Sequence, residues 1–130
     1  MTKRHNITSE RGQTMTEFAI VLPILVVLLF GIIQFGIAFN NYVTITDAAR
    51  AGARKAAVSR QSGNPVGDCT SMVRSSAGDL DQTKLQVTCS STWGIGDDVT
   101  VDVQYPYSIS LIGWVVKSGN LHTTVKERVE

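Results

Sequence analysis

A chain of 130 residues has room for one small domain beside a membrane helix, and not for two. Its formal net charge of +1 provides no basic stripe for nucleic acid, and two cysteines without clustered histidines make a poor zinc site. The 43% hydrophobic content is inflated by one apolar run, so the part beyond Arg60 has to be judged separately.

Residues 1–10, MTKRHNITSE, are polar and aperiodic and read as a disordered leader in which His5 is solvated and has no role. From Phe18 to Phe39 no residue carries a formal charge. At about 1.5 Å per residue, a helix over that stretch covers roughly 33 Å, close to the ~30 Å hydrocarbon thickness of a bilayer, which makes 18–39 a transmembrane segment. Glu17 stands immediately before it, behind the polar segment Gln13 to Thr16 and Gly12. A carboxylate entering lipid costs about 2.5–3.5 kcal/mol at mid-helix and less near an end, so Glu17 needs a polar edge or a positive partner. A cut after Gly12 supplies one, because Gln13 then carries a charged α-amino group and sits i, i+4 from Glu17 on one helix face. A second copy sliding alongside offers its own amine to the same carboxylate.

Within the span, Pro23 cannot donate to the carbonyl of Ala19 and is expected to kink or loosen the helix. A membrane-helix proline tolerated without consequence is the other reading. Gly31, Gln34 and Gly36 form a second weak point near the outer end. No turn signal interrupts Asn40 to Ser59, where Ala48, Ala49, Gly52, Ala53, Ala56 and Ala57 recur at helical spacing as a seam of small residues. One long helix, from about Thr14 to Ser59, is therefore expected. The seam either packs under the protein's own sheet or lets another backbone approach.

The N-terminal arrangement resembles that of type IV pilins and pseudopilins, in which a prepilin peptidase cuts after a glycine and the fifth mature residue is glutamate. Farther along, Gln34-Phe35-Gly36 and the run Asp47-Ala48-Ala49-Arg50-Ala51-Gly52-Ala53-Arg54-Lys55-Ala56-Ala57 resemble the TadE-like proteins of tight-adherence (Tad) pilus systems. The resemblance covers about residues 11–60 well and the last 30 loosely. It implies a type IV pilin-like α+β fold, a leader cut between Gly12 and Gln13, and Glu17, followed by Phe18, as the register and charge partner in assembly. It also implies local melting at Pro23 on packing. The implied partners are the membrane, prepilin peptidase, other pilins of the filament and the inner-membrane assembly platform. The substantial C-terminal region favours a minor pilin or pseudopilin serving pilus biogenesis and adherence.

Arg60 to Asp68 reads as a loop through Gly63, Asn64-Pro65 and Gly67, after which Asp68 is expected to N-cap a short helix from Cys69 to about Ala77, with Met72 and Val73 inward. Three runs alternate with period two: Leu85 to Cys89, Val99 to Tyr107, and Leu121 to Val129. One apolar face implies an antiparallel sheet wet on the other side, and three strands need the outer helix as cover. Pro106 points to an edge or a bend in the second strand. Leu111 to Val116 fits either a strand or an apolar turn.

The domain reading is thus a leader at 1–12, a long helix at 13–60 and an extracytoplasmic α+β region at 61–130. Lys3, Arg4 and Arg11 before the span are balanced by Arg50, Arg54 and Lys55 after it, so the positive-inside bias is weak. The short polar head and the distal cysteine pair place the N-terminus in the cytoplasm. The remainder then lies outside, where Cys69 and Cys89 are expected to form a disulfide; the resemblance implies that the membrane is the bacterial inner one and that the protein goes on from there into a cell-surface pilus. A secretory signal peptide is the competing account, but the apolar run is too long, and the nearest small-x-small site, Ala51-Gly52-Ala53, lies well past it.

No catalytic site, cofactor or small-molecule substrate is suggested. His122 alternates outward on a strand with no nucleophile beside it. Asp79 with Asp81, and Asp97 with Asp98, lack the glycine and distal glutamate of an EF-hand loop, so no metal is expected. Trp93, Trp114, Tyr105 and Tyr107 fit packing better than an adhesive surface. The alternative function is an uncleaved, membrane-anchored extracytoplasmic binding module.

Overall fold

The computed structural model describes residues 7–111 and 113–130. Residues 1–6 of the expected leader lie outside the described residues. The elements in chain order are α1 (Ile7–Val58), α2 (Pro65–Ser76), β1 (Gln86–Ser90), β2 (Asp98–Leu111) and β3 (Trp114–Arg128). The arrangement is the expected α+β one, a long N-terminal helix packed on a three-stranded antiparallel sheet of order β1-β2-β3. Helix α1 spans 52 residues and begins before the expected Thr14, so Ile7 to Glu10, read as aperiodic, are helical. Nothing in IleThrSerGluArg forbids helix, and an existing helix propagates at little cost once its nucleus has formed.

The core lies between the outer half of α1 and the inner face of the sheet. Ile45, Ala48, Ala49, Ala53 and Ala56 from α1 meet Val99, Val101 and Val103 from β2, Leu85 and Cys89 at β1, and Val129 after β3. The seam of small residues is therefore the home-core face. Period-two alternation gives the sheet its buried side, and the backs of the same strands carry Thr100, Asp102 and Gln104 opposite Lys126, Thr124 and His122.

Helix α2 starts four residues earlier than expected, and its cap is Asn64, not Asp68. The Asn64 side chain accepts from the Gly67 amide at 2.9 Å, with Pro65 in the first turn, where its missing N–H costs nothing. Asp68 instead accepts from the Ser62 hydroxyl at 2.6 Å. Val73 is buried, while Met72 is only partly covered. Cys69 on α2 and Cys89 on β1 form the expected disulfide, across a separation of 20 residues.

The second and third strands run farther than the alternation indicated. Strand β2 continues through Pro106 to Leu111 and β3 starts at Trp114, where Leu111 pairs with Trp114 beside Gly113, whose φ of 84° suits glycine. Strand β1 pairs only with Thr100 to Gln104. Past that point the central strand has a free edge, which is how Pro106 is accommodated. The outer part of the β2–β3 hairpin is thus a two-stranded arm.

Candidate functional site

The inner half of α1 carries the residues singled out by sequence. Here Gly12, Gln13, Thr16 and Glu17 occupy consecutive turns of one exposed helix. The Gln13 Nε2 donates to Glu17 Oε1 at 3.1 Å, the i, i+4 contact that the spacing allows. The Thr16 hydroxyl donates back to the Gly12 carbonyl at 2.9 Å, an alternative partner for a group that a helix otherwise ties up internally. A Cβ at Gly12 would meet nothing within 4 Å, so no intrachain packing asks for a glycine there.

Beyond Glu17 every large apolar side chain from Phe18 to Phe39 is exposed on the isolated subunit. The helix meets the length and hydropathy of a membrane span, with a mean hydropathy of 2.8 in its most apolar window and none of that window buried inside the subunit. A core helix of a soluble domain would hide that face. Burial at this scale is worth about 25 cal/mol per Å², so the belt demands lipid or neighbouring protein. The helix can anchor the protein in a membrane. Pro23 lies inside it, and Phe35 and Phe39 stack one turn apart at the outer rim, ring centroids 6.4 Å apart.

Residues 12–54 match the family model of the TadE-like proteins. The N-terminal helix is TadE-like. The match runs from the glycine before the polar segment to the middle of the home-core seam, and stops short of α2 and the sheet. Among curated proteins and among solved structures nothing matches the chain. The TadE-like family is not an enzyme family. The match over this helix accords with a pilus-associated, pilin-like protein whose partners are a membrane and other pilus components.

The rest of the named residues are held by local chemistry. Asp97 accepts from the Thr92 hydroxyl at 2.5 Å and the Gly94 amide at 3.1 Å, closing the loop before β2. Asp81 accepts from the Thr83 hydroxyl and amide and pairs with Lys84 at 3.3 Å. Those hydrogen bonds, the hydroxyl first, hold the Asp81 carboxyl below its ordinary range. Among the described residues no three His, Cys, Asp or Glu side chains gather as a metal site.

The partner of Gly52 and one surface cluster escaped the sequence reading. Gly52 lies where α1 crosses α2, and a Cβ there would collide with the Val73 Cγ2. On the wet face, His122 Nε2 lies 2.5 Å from Asp102 Oδ2, and the Thr124 hydroxyl donates to the same oxygen at 3.0 Å. Desolvation raises the Asp102 carboxyl, but hydrogen bonds from His122, Thr124 and Gln104 outweigh it and leave it below its ordinary range. The register Asp102↔Thr124, Gln104↔His122 is what brings these groups together. The pairing register is the one signal that could have found them.

Proposed function

We propose that the protein is a minor pilin or pseudopilin of a Tad-type pilus, cut by prepilin peptidase after Gly12 and assembled through α1 for pilus biogenesis and adherence. The observation that carries this reading is the charge-free belt, whose large apolar side chains all lie exposed on the subunit, with a single carboxylate, Glu17, at its mouth. Such a belt is at rest in lipid and leaves it at little cost only when neighbouring helices replace the lipid contacts. Gly12 supports the cleavage step. A mid-helix glycine costs about 1 kcal/mol relative to alanine and here relieves no crowding inside the subunit, so its selection fits a protease that needs a residue without a side chain.

After the cut, Gln13 presents an ammonium on the turn that already holds Glu17. In a bundle the carboxylate pairs with its own amine or with that of a neighbour, which fixes the axial register of one subunit against the next. Pro23, which deprives the ladder of one donor, gives the helix a place to loosen during that packing. Before assembly the protein lies in the bacterial inner membrane with the leader in the cytoplasm and residues 61–130 outside, where the Cys69–Cys89 bond persists. Its partners there are the peptidase and the assembly platform.

Mass spectrometry of the protein taken from its native membrane tests the reading. A mature N-terminus at Gln13 is expected. A chain that still begins at Met1 overturns it and leaves the anchored extracytoplasmic module.

A further inference from the structure

The β2–β3 arm ends in a patch that none of the described residues covers. On an ordinary half-buried strand, exposure alternates. At the start of β3 it does not, because Trp114, Val115 and Val116 are 82%, 65% and 63% exposed in succession. Both faces of the ribbon are therefore bare. A two-stranded ribbon is marginal by itself, and this one has lost its third strand after Gln104.

The direction of the arm says what lies against it. At its root, the Glu130 amide donates to the Ala57 carbonyl at 3.2 Å, near the outer end of α1. Toward its tip, Tyr107, Ile109, Lys117 and Leu121 line a groove shared with Phe35, Ala38, Phe39 and Tyr42 of the same helix. The arm thus runs back along α1 toward the charge-free segment. From Lys117 to Trp114 at ~3.4 Å per residue, the strand extends up to about 10 Å farther, level with the outer turns of that segment. Composition fits this depth. Tryptophan concentrates where hydrocarbon meets headgroups, valine and isoleucine suit the acyl side, and Lys117, three residues from the tryptophan, has the long stem that lets an ammonium reach back to the phosphates.

We infer that the β2–β3 tip, through Trp114, Val115 and Val116, dips into the outer leaflet of the bilayer that α1 spans, so that the subunit rests on lipid at two points, helix and hairpin. The occupant of the patch is phospholipid, because the patch continues the apolar belt of α1 at the same depth. The inference rests on α1 crossing the membrane and is independent of leader cleavage. Two contacts fix the tilt and rotation of the domain over the membrane, which one helix leaves free.

Full-length protein reconstituted into phosphatidylcholine–phosphatidylglycerol vesicles with brominated acyl chains tests this by tryptophan quenching. Trp93→Phe leaves Trp114 as the reporter and Trp114→Phe leaves Trp93. If Trp93→Phe does not fold, the difference between wild type and Trp114→Phe gives the same signal. The expected result is several-fold stronger quenching of Trp114 than of Trp93, greater with bromines near the headgroup than near the chain end. Quenching of Trp114 by aqueous iodide overturns the inference, and so does a Trp114 shielded from both quenchers, which assigns the patch to a second copy. Flotation with the vesicles separates the two levels: a chain that floats with Trp114 wet refutes the hairpin contact alone, and a chain that does not float refutes the membrane reading with it.

Discussion

Replacing Gly52 by alanine sets two effects of known size against each other. In a helix interior, Gly→Ala gains about 0.8–1 kcal/mol of propensity. Here the new methyl would collide with Val73 Cγ2, on a side chain with no exposed surface whose helix is tied to the sheet one turn away by the Cys69–Cys89 bond. Valine has one comfortable rotamer in a helix, so it cannot swing aside, and overpacking of this kind costs about 1–3 kcal/mol. The collision wins, and a net loss of about 1 kcal/mol, at most 2, is expected. For a domain of this size that lowers the midpoint of thermal unfolding by roughly 4–8 °C per kcal/mol. Val73→Ala alone should cost about 2–3 kcal/mol, two methyl groups at ~0.8 each plus the cavity. In the double variant the alanine at 52 refills part of that cavity and keeps its propensity gain, so it should be more stable than Val73→Ala alone. The coupling is then about 1–2 kcal/mol. Unfolding of the full chain in detergent micelles, followed by the fluorescence of Trp93, which packs on the core, measures all four corners of the cycle. A stabilising Gly52→Ala, or additive losses, would refute the close approach of the two helices.

Glu17→Ala should leave leader removal intact and abolish incorporation into filaments, read by blotting the sheared surface fraction; normal amounts there remove the electrostatic part of the assembly proposal. Opening the Cys69–Cys89 bond, whose separation is 20 residues, should cost about 3 kcal/mol and lower the midpoint by more than ~10 °C under reductant, with alkylation mass confirming the open state. An unchanged midpoint would show that the core holds α2 on β1 without it. For Asp102, whose folded carboxyl titrates below its ordinary 3.8, the stability it contributes is complete above that pH and disappears as pH falls through the lower folded value. Asp102→Asn should therefore be less stable at neutral pH and decline less steeply below about pH 4. Parallel acid-unfolding curves for the two proteins would mean that the His122–Asp102 contact contributes nothing.

The parts of this fold that sequence made legible are those in which one physical signal acts alone. Absence of charge from Phe18 to Phe39 is enough to mark the span, and strict alternation from Val99 to Val103 is enough to mark a half-buried strand. The arm hid because alternation vanishes when both faces of a ribbon carry apolar residues, as around Val115 and Val116. Small residues at 48, 49, 52, 53, 56 and 57 report that something approaches closely without saying what, and the structure assigns that role to the protein's own sheet and, at Gly52, to α2. At the second helix two good caps competed within five residues. Asn64 prevailed because Pro65 behind it fits a first helical turn and no later one, and Asp68 was left to bond Ser62. In the candidate site, Gln13, Glu17 and the apolar belt were readable from spacing, whereas the surface cluster at Asp102 depends on a cross-strand register that no local pattern encodes.

The folded head grips α1 only from about Phe35 outward, which leaves a bare shaft from Gly12 to Gln34 of roughly 35 Å at 1.5 Å per residue. Two such rods laid side by side can overlap along that shaft before one head strikes the other. In the proposed filament, the reach of the hairpin, rather than the length of the oily segment, would therefore set the smallest axial stagger between copies.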